Sequence, residues 1–397
     1  MNAAVEFCRV DILFGPRGRR RGGAVMQQAL AALDAGASRT EIAERTGVII
    51  GVANASLSVA RGQICVLMGL SGSGKSTLLR AANGITPVTR GQVLVGDGEA
   101  VIDIARCDAA ALRRVRRLRI AMVFQQFALL PWRSVRDNVG FGLELRGEPR
   151  EKLVQTVDEK LALVGLSQWA DRYVSELSGG MQQRVGLARA FATEAEILLM
   201  DEPFSALDPL IRSKLQDELL ELQSRVKKTI LFVSHDMDEA LRLGDHITIM
   251  QNGRIVQTGT AEDIVLAPAD DYVAEFVRHM NPLNVLTGGM IMRSRVHMVA
   301  DGRALWLDEG RRYRAVLGEG DRLVELRIDG ALANTDPPLA LAPAHLSLQE
   351  IIHLRQGSGH PVLLMEDGRM VGVCGETEII RALAGGHQRP AAGDSRT

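Results

Sequence analysis

The 397-residue sequence lacks the features that mark a secreted or membrane-spanning chain. Its cysteines show no CxxC spacing and no histidines at metal-site intervals, which argues against both a disulfide framework and a zinc site. No apolar run approaches the roughly 18 residues that a spanning helix needs, and Glu6 and Asp11 stand where a signal peptide would be basic and then apolar. The four cysteines are Cys8, Cys65, Cys107 and Cys374. We expect a cytoplasmic chain with reduced thiols.

An excess of charge of either sign is also missing. The chain has 47 Lys and Arg against 48 Asp and Glu, for a net charge of −1. This balance gives no electrostatic reason to expect binding to nucleic acid or to an anionic surface. We therefore expect no nucleic-acid partner, and membrane association only through another protein.

The middle of the chain alternates apolar strands with helical stretches. This order is typical of a parallel sheet wrapped by crossover helices, which makes the fold class α/β. The predicted core strands are Ile64–Met68, Ile197–Met200 and Thr229–Val233. Asn252-Gly253 between two further apolar runs predicts a hairpin.

A helical insert is predicted before the main domain, over residues 24–46. Val5–Phe14 forms a strand pattern, and a basic, glycine-rich loop that includes Arg17–Arg21 follows it. Apolar residues then recur at helical spacing, and Ser38-x-x-Glu41 is a capping box that opens a second short helix.

The segment Gly69-Leu70-Ser71-Gly72-Ser73-Gly74-Lys75-Ser76 matches the phosphate-loop pattern G-x-x-x-x-G-K-[ST] between a strand and a helix. Its glycines let backbone N–H groups turn towards phosphate oxygens, while Lys75 reaches the β and γ phosphates and Ser76 ligates Mg²⁺. The pattern predicts binding of a nucleoside triphosphate with Mg²⁺, and the motifs described below make ATP the expected nucleotide. The predicted nucleotide-binding residues here are Gly69, Ser71, Gly72, Ser73, Gly74, Lys75, Ser76 and Thr77.

Two carboxylates follow a second buried strand, Ile197–Met200. Parallel strands present their carboxyl ends at one edge of the sheet, so Asp201 is expected beside the phosphate loop as a Mg²⁺ ligand. Glu202 then faces the γ-phosphate as the candidate general base for water.

Leu177-Ser178-Gly179-Gly180-Met181-Gln182-Gln183-Arg184 resembles the signature motif of ATP-binding-cassette (ABC) ATPases. Physically it is a second helix start suited to phosphate, with Ser178 as N-cap and two glycines that allow close approach. The resemblance implies that Ser178, Gly179 and Gly180 bind the nucleotide of a second subunit, so the working unit is a homodimer.

Further elements resemble the same family in the same order. Gln125 matches its Q-loop, Asp208 its D-loop and His235 its switch histidine. The resemblance implies that Gln125 senses Mg²⁺ and water, that Asp208 communicates across the dimer, and that His235 contacts the γ-phosphate. The implied catalytic residues are Lys75, Gln125, Glu202 and His235, and the implied metal ligands are Ser76, Gln125 and Asp201.

An aromatic residue near the N-terminus stacks on adenine in this family. Phe14, at the end of the first strand, is the preferred match, and Phe7 is the alternative. The insert makes the spacing from either residue to the phosphate loop long.

The expected fold is a P-loop ABC nucleotide-binding domain, a RecA-like core with a helical subdomain. The insert, Gln125–Trp132 and Met181 resemble the branch that imports glycine betaine, proline betaine and choline, and the phosphate-loop strand resembles its choline members. This implies an ATPase at the cytoplasmic face of the inner membrane, joined to a transmembrane permease and indirectly to a substrate-binding protein. The alternatives are an importer ATPase for another small polar solute, or a soluble ABC ATPase without a transport role.

We divide the chain into an ABC domain (1–283), an accessory domain (284–384) and a flexible tail (385–397). The accessory domain reads as α+β, and His345–Leu383 resembles a cystathionine-β-synthase-type (CBS) module. Residues 286–340 would be a degenerate first module. Gly375 and Glu378 stand where nucleotide-binding modules carry Ser or Thr and Asp. A purely structural dimerisation role is the alternative for this domain.

Overall fold

The computed structural model describes residues 3–15, 23–98, 100–278, 283, 286–302, 304–332 and 340–383, without the side chains of 222, 225 and 226. Contacts divide the chain into two compact units, Met1–Ala261 and Glu262–Thr397. The basic loop Arg17–Arg21 and the predicted tail 385–397 lie outside the described residues. Within the described part, no helix is both long and apolar enough to cross a bilayer.

The first unit contains two sheets, built from strands that lie far apart in the sequence. Its strands are β1 (Ala3–Phe14), β2 (Ile49–Ala60), β3 (Ile64–Met68), β4 (Arg90–Asp97), β5 (Ala100–Asp103), β6 (Ile120–Val123), β7 (Ile197–Asp201), β8 (Thr229–Val233), β9 (His246–Gln251) and β10 (Arg254–Gly259). Its helices are α1 (Gly23–Asp34), α2 (Arg39–Thr46), α3 (Lys75–Ala81), α4 (Ala109–Leu118), α5 (Val135–Arg146), α6 (Arg150–Leu163), α7 (Gly179–Ala192), α8 (Pro209–Val226) and α9 (Met237–Leu243).

The larger sheet has the strand order β10-β9-β3-β8-β7-β6, and β10 alone among its described strands runs antiparallel to its neighbour. Every residue of β3, β7 and β8 is buried, as expected for strands covered on both faces. The three predicted core strands and the Asn252-Gly253 hairpin are confirmed, and both turn residues have positive φ (50° and 82°). The carboxyl ends of β3, β7 and β8 therefore meet at one edge.

The smaller sheet has the order β2-β1-β4-β5, with β1 and β2 antiparallel on either side of the helical insert. Helices α1 and α2 are thus an elaboration of one hairpin. They bury Ala29, Leu33 and Ile42 against Leu13 and Ile50 of the sheet. The predicted capping box is confirmed, because Ser38 and Glu41 exchange side-chain and backbone hydrogen bonds at the start of α2.

Helices α5, α6 and α7 pack against one another and form a helical subdomain. Ser134 caps α5 through the Asp137 N–H (3.1 Å), and Ser178 caps α7 through the Met181 N–H (3.4 Å). The predicted N-cap role of Ser178 is confirmed.

The second unit mixes short helices with two further sheets. Its helices are α10 (Ala261–Leu266), which begins at the unit boundary, α11 (Asp271–Arg278), α12 (Gly288–Ile291), α13 (Leu348–Ser358) and α14 (Glu376–Leu383). Its strands are β11 (Arg293–Ser294), β12 (Val299–Asp301), β13 (Ala304–Trp306), β14 (Tyr313–Leu317), β15 (Leu323–Ile328), β16 (Ala331–Leu332), β17 (Leu341–Pro343), β18 (Val362–Glu366) and β19 (Arg369–Cys374).

The two sheets of the second unit have different plans. Strands β12 to β16 form an antiparallel meander, whereas 341–383 runs strand, helix, strand, strand, helix. Residues 299–332 are therefore not a second copy of the C-terminal arrangement, contrary to the interpretation of 286–340 as a degenerate first module. The helix, strand and turn positions predicted within His345–Leu383 agree with the structure.

Candidate nucleotide site

The loop between β3 and α3 depends on its glycines. Gly69 and Gly74 have φ of 141° and 105°, a region that side chains disfavour. A Cβ on Gly69 would come 2.1 Å from the Met250 carbonyl oxygen, and one on Gly74 would come 2.4 Å from that of Gly51. The backbone therefore fits closely against two neighbouring strands. Gly72 (φ 78°), by contrast, has open space beside it.

Lys75 is 5% exposed at the start of α3. Its ammonium donates to the carbonyl oxygens of Gly69 (2.7 Å) and Leu70 (3.0 Å), so the side chain folds back under the loop. Burial holds the pKa of Lys75 below its ordinary value, against the opposing effect of the Glu202 and Asp201 carboxylates. Ser73 Oγ, also in the loop, is buried without a hydrogen-bond partner among the described residues.

Asp201, fully buried at the end of β7, links this strand to the phosphate loop. Its Oδ1 accepts from Ser76 Oγ at 2.7 Å, and its Oδ2 accepts from both Nε (3.1 Å) and Nη2 (2.8 Å) of Arg80. A hydroxyl and a carboxylate oxygen thus lie side by side at the edge of the loop. Arg80 was not identified as a site residue from the sequence, although it follows Lys75 by five positions on the same helix.

Glu202 stands just beyond β7 in a left-handed conformation (φ 48°) that few non-glycine residues adopt. Its Oε2 accepts from Gln125 Nε2 at 3.1 Å and lies 3.5 Å from His235 Nδ1. The structure therefore brings three predicted catalytic side chains into one cluster. Gln125 and His235 are exposed at this edge, so a ligand has access to them.

Gln183, a buried residue of α7, holds the backbone at both ends of the segment Glu202–Ala206. Its Nε2 donates to the Glu202 carbonyl oxygen (3.2 Å), and its Oε1 accepts from the Ala206 N–H (3.2 Å). One side chain thereby ties the signature helix to the segment that carries Glu202. It lies inside the signature motif, but the motif alone gave no reason to assign it a role.

The signature residues are displayed rather than buried. Ser178 and Gly179 are exposed, and Gly180 packs beside Ala206, whose oxygen would lie 3.4 Å from a Cβ there. Asp208 is exposed and caps α8 through the Ile211 N–H (3.0 Å). Their roles in a second subunit's site stay predictions.

The two candidate aromatics have opposite environments. Phe7 is 1% exposed in the core of the smaller sheet, where no ligand reaches its ring. Phe14 is 42% exposed and lies over Gly51, whose Cβ would come 2.7 Å from the Phe14 ring and 3.1 Å from the Thr77 side chain. Phe14 is thus available at the end of the site marked by Thr77, and its contact with adenine stays a prediction.

The segment after Gln125 is held in an unusual conformation. Phe127 and Ala128 both have positive φ (59° and 47°), and the half-buried Arg189 of α7 donates to both of their carbonyl oxygens (2.8 and 2.7 Å). Asn138 accepts from the Leu130 N–H at 2.8 Å and fixes the next stretch. Trp132 is 71% exposed beyond it.

Comparison with known proteins agrees with this geometry. The ABC transporter family matches residues 52–205. The glycine betaine/proline betaine transport system ATP-binding protein ProV of Escherichia coli is 44% identical over 381 residues, which cover 90% of this chain and 94% of ProV. The glycine betaine/carnitine transport ATP-binding protein GbuA of Listeria monocytogenes is 41% identical and covered to 95%.

Two further similarities cover a smaller share of the chain. The trimethylamine N-oxide transport system ATP-binding protein TmoW of Ruegeria pomeroyi is 48% identical over 63% of this chain and 72% of its own length. A solved dimer of the cassette MJ0796, in a post-hydrolysis state with ADP and Pi, matches with a TM-score of 0.54 and 27% identity, over 64% of this chain and 98% of MJ0796. The chain therefore belongs to the ATP-hydrolysing subunits of ABC transporters, in the glycine betaine/proline betaine transport family.

Proposed function

We propose that this ATPase drives import of a small quaternary amine, of which glycine betaine and choline are the first candidates. The observation that supports the proposal is similarity across more than nine-tenths of ProV and GbuA, which serve glycine betaine, proline betaine and carnitine transport. These compounds share a fully substituted, positively charged nitrogen. The preference for choline comes from the phosphate-loop strand alone.

Within one subunit, we assign the chemistry to the cluster at the edge of the larger sheet. Lys75 would exchange its two carbonyl partners for phosphate oxygens, which are stronger acceptors because they are charged. Glu202, held by Gln125 and facing His235, would orient and deprotonate the attacking water. Backbone N–H groups of Gly69, Ser71, Gly72, Ser73 and Gly74 would surround the phosphates, with Ser76 and Thr77 at the start of the helix.

The residues at the loop edge fit Mg²⁺. Ser76 Oγ and Asp201 Oδ1 lie 2.7 Å apart and supply the hard oxygen donors that this ion prefers, and Gln125 adds an amide nearby. The bound ion would neutralise charge on the β and γ phosphates. Arg80 keeps the second Asp201 oxygen occupied, and so fixes which oxygen faces the site.

We propose that two copies of the chain form the working unit, with Ser178, Gly179 and Gly180 of each facing the other's nucleotide. Exposure of Ser178, Gly179 and Leu210 (80%), which follows Asp208 by two positions, supports this. A transmembrane permease would contact the exposed Trp132 region and hold the dimer at the cytoplasmic face of the inner membrane. A substrate-binding protein would select the cargo.

Within the second unit we keep the assignment of a CBS-like accessory domain over 284–384, which puts the domain boundary near residue 283 rather than at the division between the compact units after Ala261. The strand and helix order of 341–383 supports it. Glu378 is 7% exposed, lies 3.6 Å from Arg293 and accepts from the Gly375 N–H at 2.9 Å. We therefore assign this domain a structural role rather than nucleotide sensing through Gly375 and Glu378.

The cargo is tested by uptake in cells that lack their own quaternary-amine transport and express the full chain with a candidate permease and binding protein. Labelled glycine betaine, choline, carnitine and an unrelated solute, sulfate, are offered in parallel, and Glu202→Gln is the inactive control. We expect ATP-dependent uptake of at least one quaternary amine. Uptake of sulfate alone, or copurification with ribosomes instead of the permease, would contradict the proposal.

A further inference from the structure

The helical insert packs on the smaller sheet and contacts the phosphate loop. Ile42 of α2 is fully buried against the smaller sheet, and the capping box fixes the first turn of that helix. A left-handed Gly47 (φ 68°) closes its other end. The burial of Ile42 and the caps at both ends therefore fix α2, and with it the position of its first residue, Arg39.

Arg39 reaches from the insert to the rim of the loop. Its Nη1 donates to the Gly72 carbonyl oxygen at 3.3 Å, across 33 positions of sequence. Gly72 is exposed, with no atom within 4 Å of where its Cβ would stand, so this part of the rim is open. The insert therefore places a cation at the border of the nucleotide site.

The Gly72 carbonyl oxygen is uncharged, so it does not neutralise the Arg39 guanidinium. Arg39 makes no ion pair with a carboxylate among the described residues, although it is half-buried. Arg90, by contrast, is shared between Asp11 (2.7 Å) and Asp34 (2.6 Å). A carbonyl oxygen is a weak partner for a guanidinium, whereas a phosphate accepts charge-assisted and bidentate hydrogen bonds.

We propose that Arg39 binds the polyphosphate of the nucleotide held by its own chain, so that the insert forms one wall of the nucleotide site. The inference rests on ATP binding by the phosphate loop, as proposed above. On binding, the guanidinium would turn from the Gly72 carbonyl to a phosphate oxygen. The insert would then report nucleotide occupancy to the hairpin β1–β2, since it is packed on both strands.

The test compares binding of labelled ATP, ADP and AMP to the full-length chain and its variants. Arg39→Ala is expected to weaken ATP binding about ten-fold and ADP binding less, because a charge-assisted hydrogen bond is lost. AMP affinity, which reports an intact adenine end, should stay the same. Arg39→Lys should keep most of the ATP affinity, because it keeps the charge. The matched control is Arg45→Ala, an exposed arginine of the same helix whose recorded electrostatic partner is Glu41.

Two results would overturn the proposal. Unchanged ATP affinity in Arg39→Ala would show that the guanidinium does not reach the nucleotide. Equal weakening of ATP, ADP and AMP would show that Arg39 only supports the loop. Failure of the unaltered chain to bind ATP would instead contradict the proposed function itself.

Discussion

Both units of the chain contain a strand that leads through a glycine-containing turn into a helix, but the two helix starts differ in what caps their backbone N–H groups. In the first unit, no described side chain caps α3 after Gly74, and the loop before it packs through its backbone against Gly51 and Met250. In the second, the Glu378 side chain folds back onto the Gly375 N–H ahead of α14, and Arg293 lies beside it.

The difference shows that a strand–glycine–helix turn acquires its chemistry from what already satisfies its amide groups. Uncapped N–H groups at a helix start attract anions, because they are unpaired donors at the positive end of the helix. A carboxylate from the same chain can accept from these N–H groups in place of a bound anion, and it then occupies them permanently. An anion at Gly375 would have to displace Glu378 and compete for Arg293. The turn before α3 is thus suited to bind and release an anion, whereas the turn before α14 stays occupied by Glu378.

Neutralising one acid in each unit should separate the two turns by the largest effect. Glu202→Gln is expected to lower ATP turnover by roughly 10²- to 10⁴-fold, because the general base is lost while binding is kept. ATP-dependent dimers of this variant should persist and be visible by size-exclusion chromatography. Glu378→Gln should leave turnover within about two-fold, since Glu378 already pairs with the Gly375 N–H and has no assigned part in the chemistry of the nucleotide. Normal hydrolysis by Glu202→Gln would refute the catalytic assignment.

Adding a methyl group to each glycine tests the two turns themselves. Gly74→Ala places a Cβ 2.4 Å from the Gly51 oxygen at φ 105°, so the backbone must move. We expect ATP affinity to fall roughly ten- to a hundred-fold, in line with strain of 1–3 kcal/mol. Gly375→Ala meets only the flexible Glu378 side chain at 3.0 Å. Its ATP affinity, measured by the same titration, should equal that of the unaltered chain. Equal losses in both variants would mean that the first turn is not special.

Much of the first unit could be predicted because its signals are local. Strand burial, the Asn252-Gly253 hairpin and the Ser38–Glu41 capping box each depend on neighbours in sequence. The same holds for the phosphate loop, whose spacing fixes both backbone and chemistry.

What escaped prediction depends on contacts between distant segments. Arg80 is recognisable only once Asp201 is placed 121 positions away, and Gln183 only once the Glu202 backbone lies beneath it. The second unit carries no motif of comparable specificity, so alternating apolar residues predicted its strands but not their pairing into a meander.

Within the first unit, we expect Gln183 to position the catalytic segment rather than to bind the nucleotide. Gln183→Ala removes one partner of the Glu202 carbonyl and the partner of the Ala206 N–H without touching the loop. Because the Ala206 N–H is left unpaired and the Glu202 carbonyl keeps only its hydrogen bonds from Ser205, we expect kcat to fall about five- to ten-fold, equivalent to roughly 1 kcal/mol. The KM for ATP should change little. A rise in KM at unchanged kcat would instead place Gln183 in substrate binding.

The smallest effect is expected at the turn of the second unit, where Glu378 already accepts from the Gly375 N–H. Glu378→Gln keeps a hydrogen-bond acceptor for the Gly375 N–H but removes the charge beside Arg293, whose side chain is 25% exposed. Partial exposure lets water screen the remaining guanidinium, so we expect a loss of about 1 kcal/mol rather than the larger cost of a fully buried charge. Urea unfolding followed by hydrogen exchange of 341–383 measures this loss region by region. Arg355→Gln, which breaks an exposed pair with Glu376 (2.7 Å) in the same unit, is the matched control and should cost less. If the two variants are equally stable, the Glu378–Arg293 pair does not hold this turn closed, and an external anion could compete for Gly375.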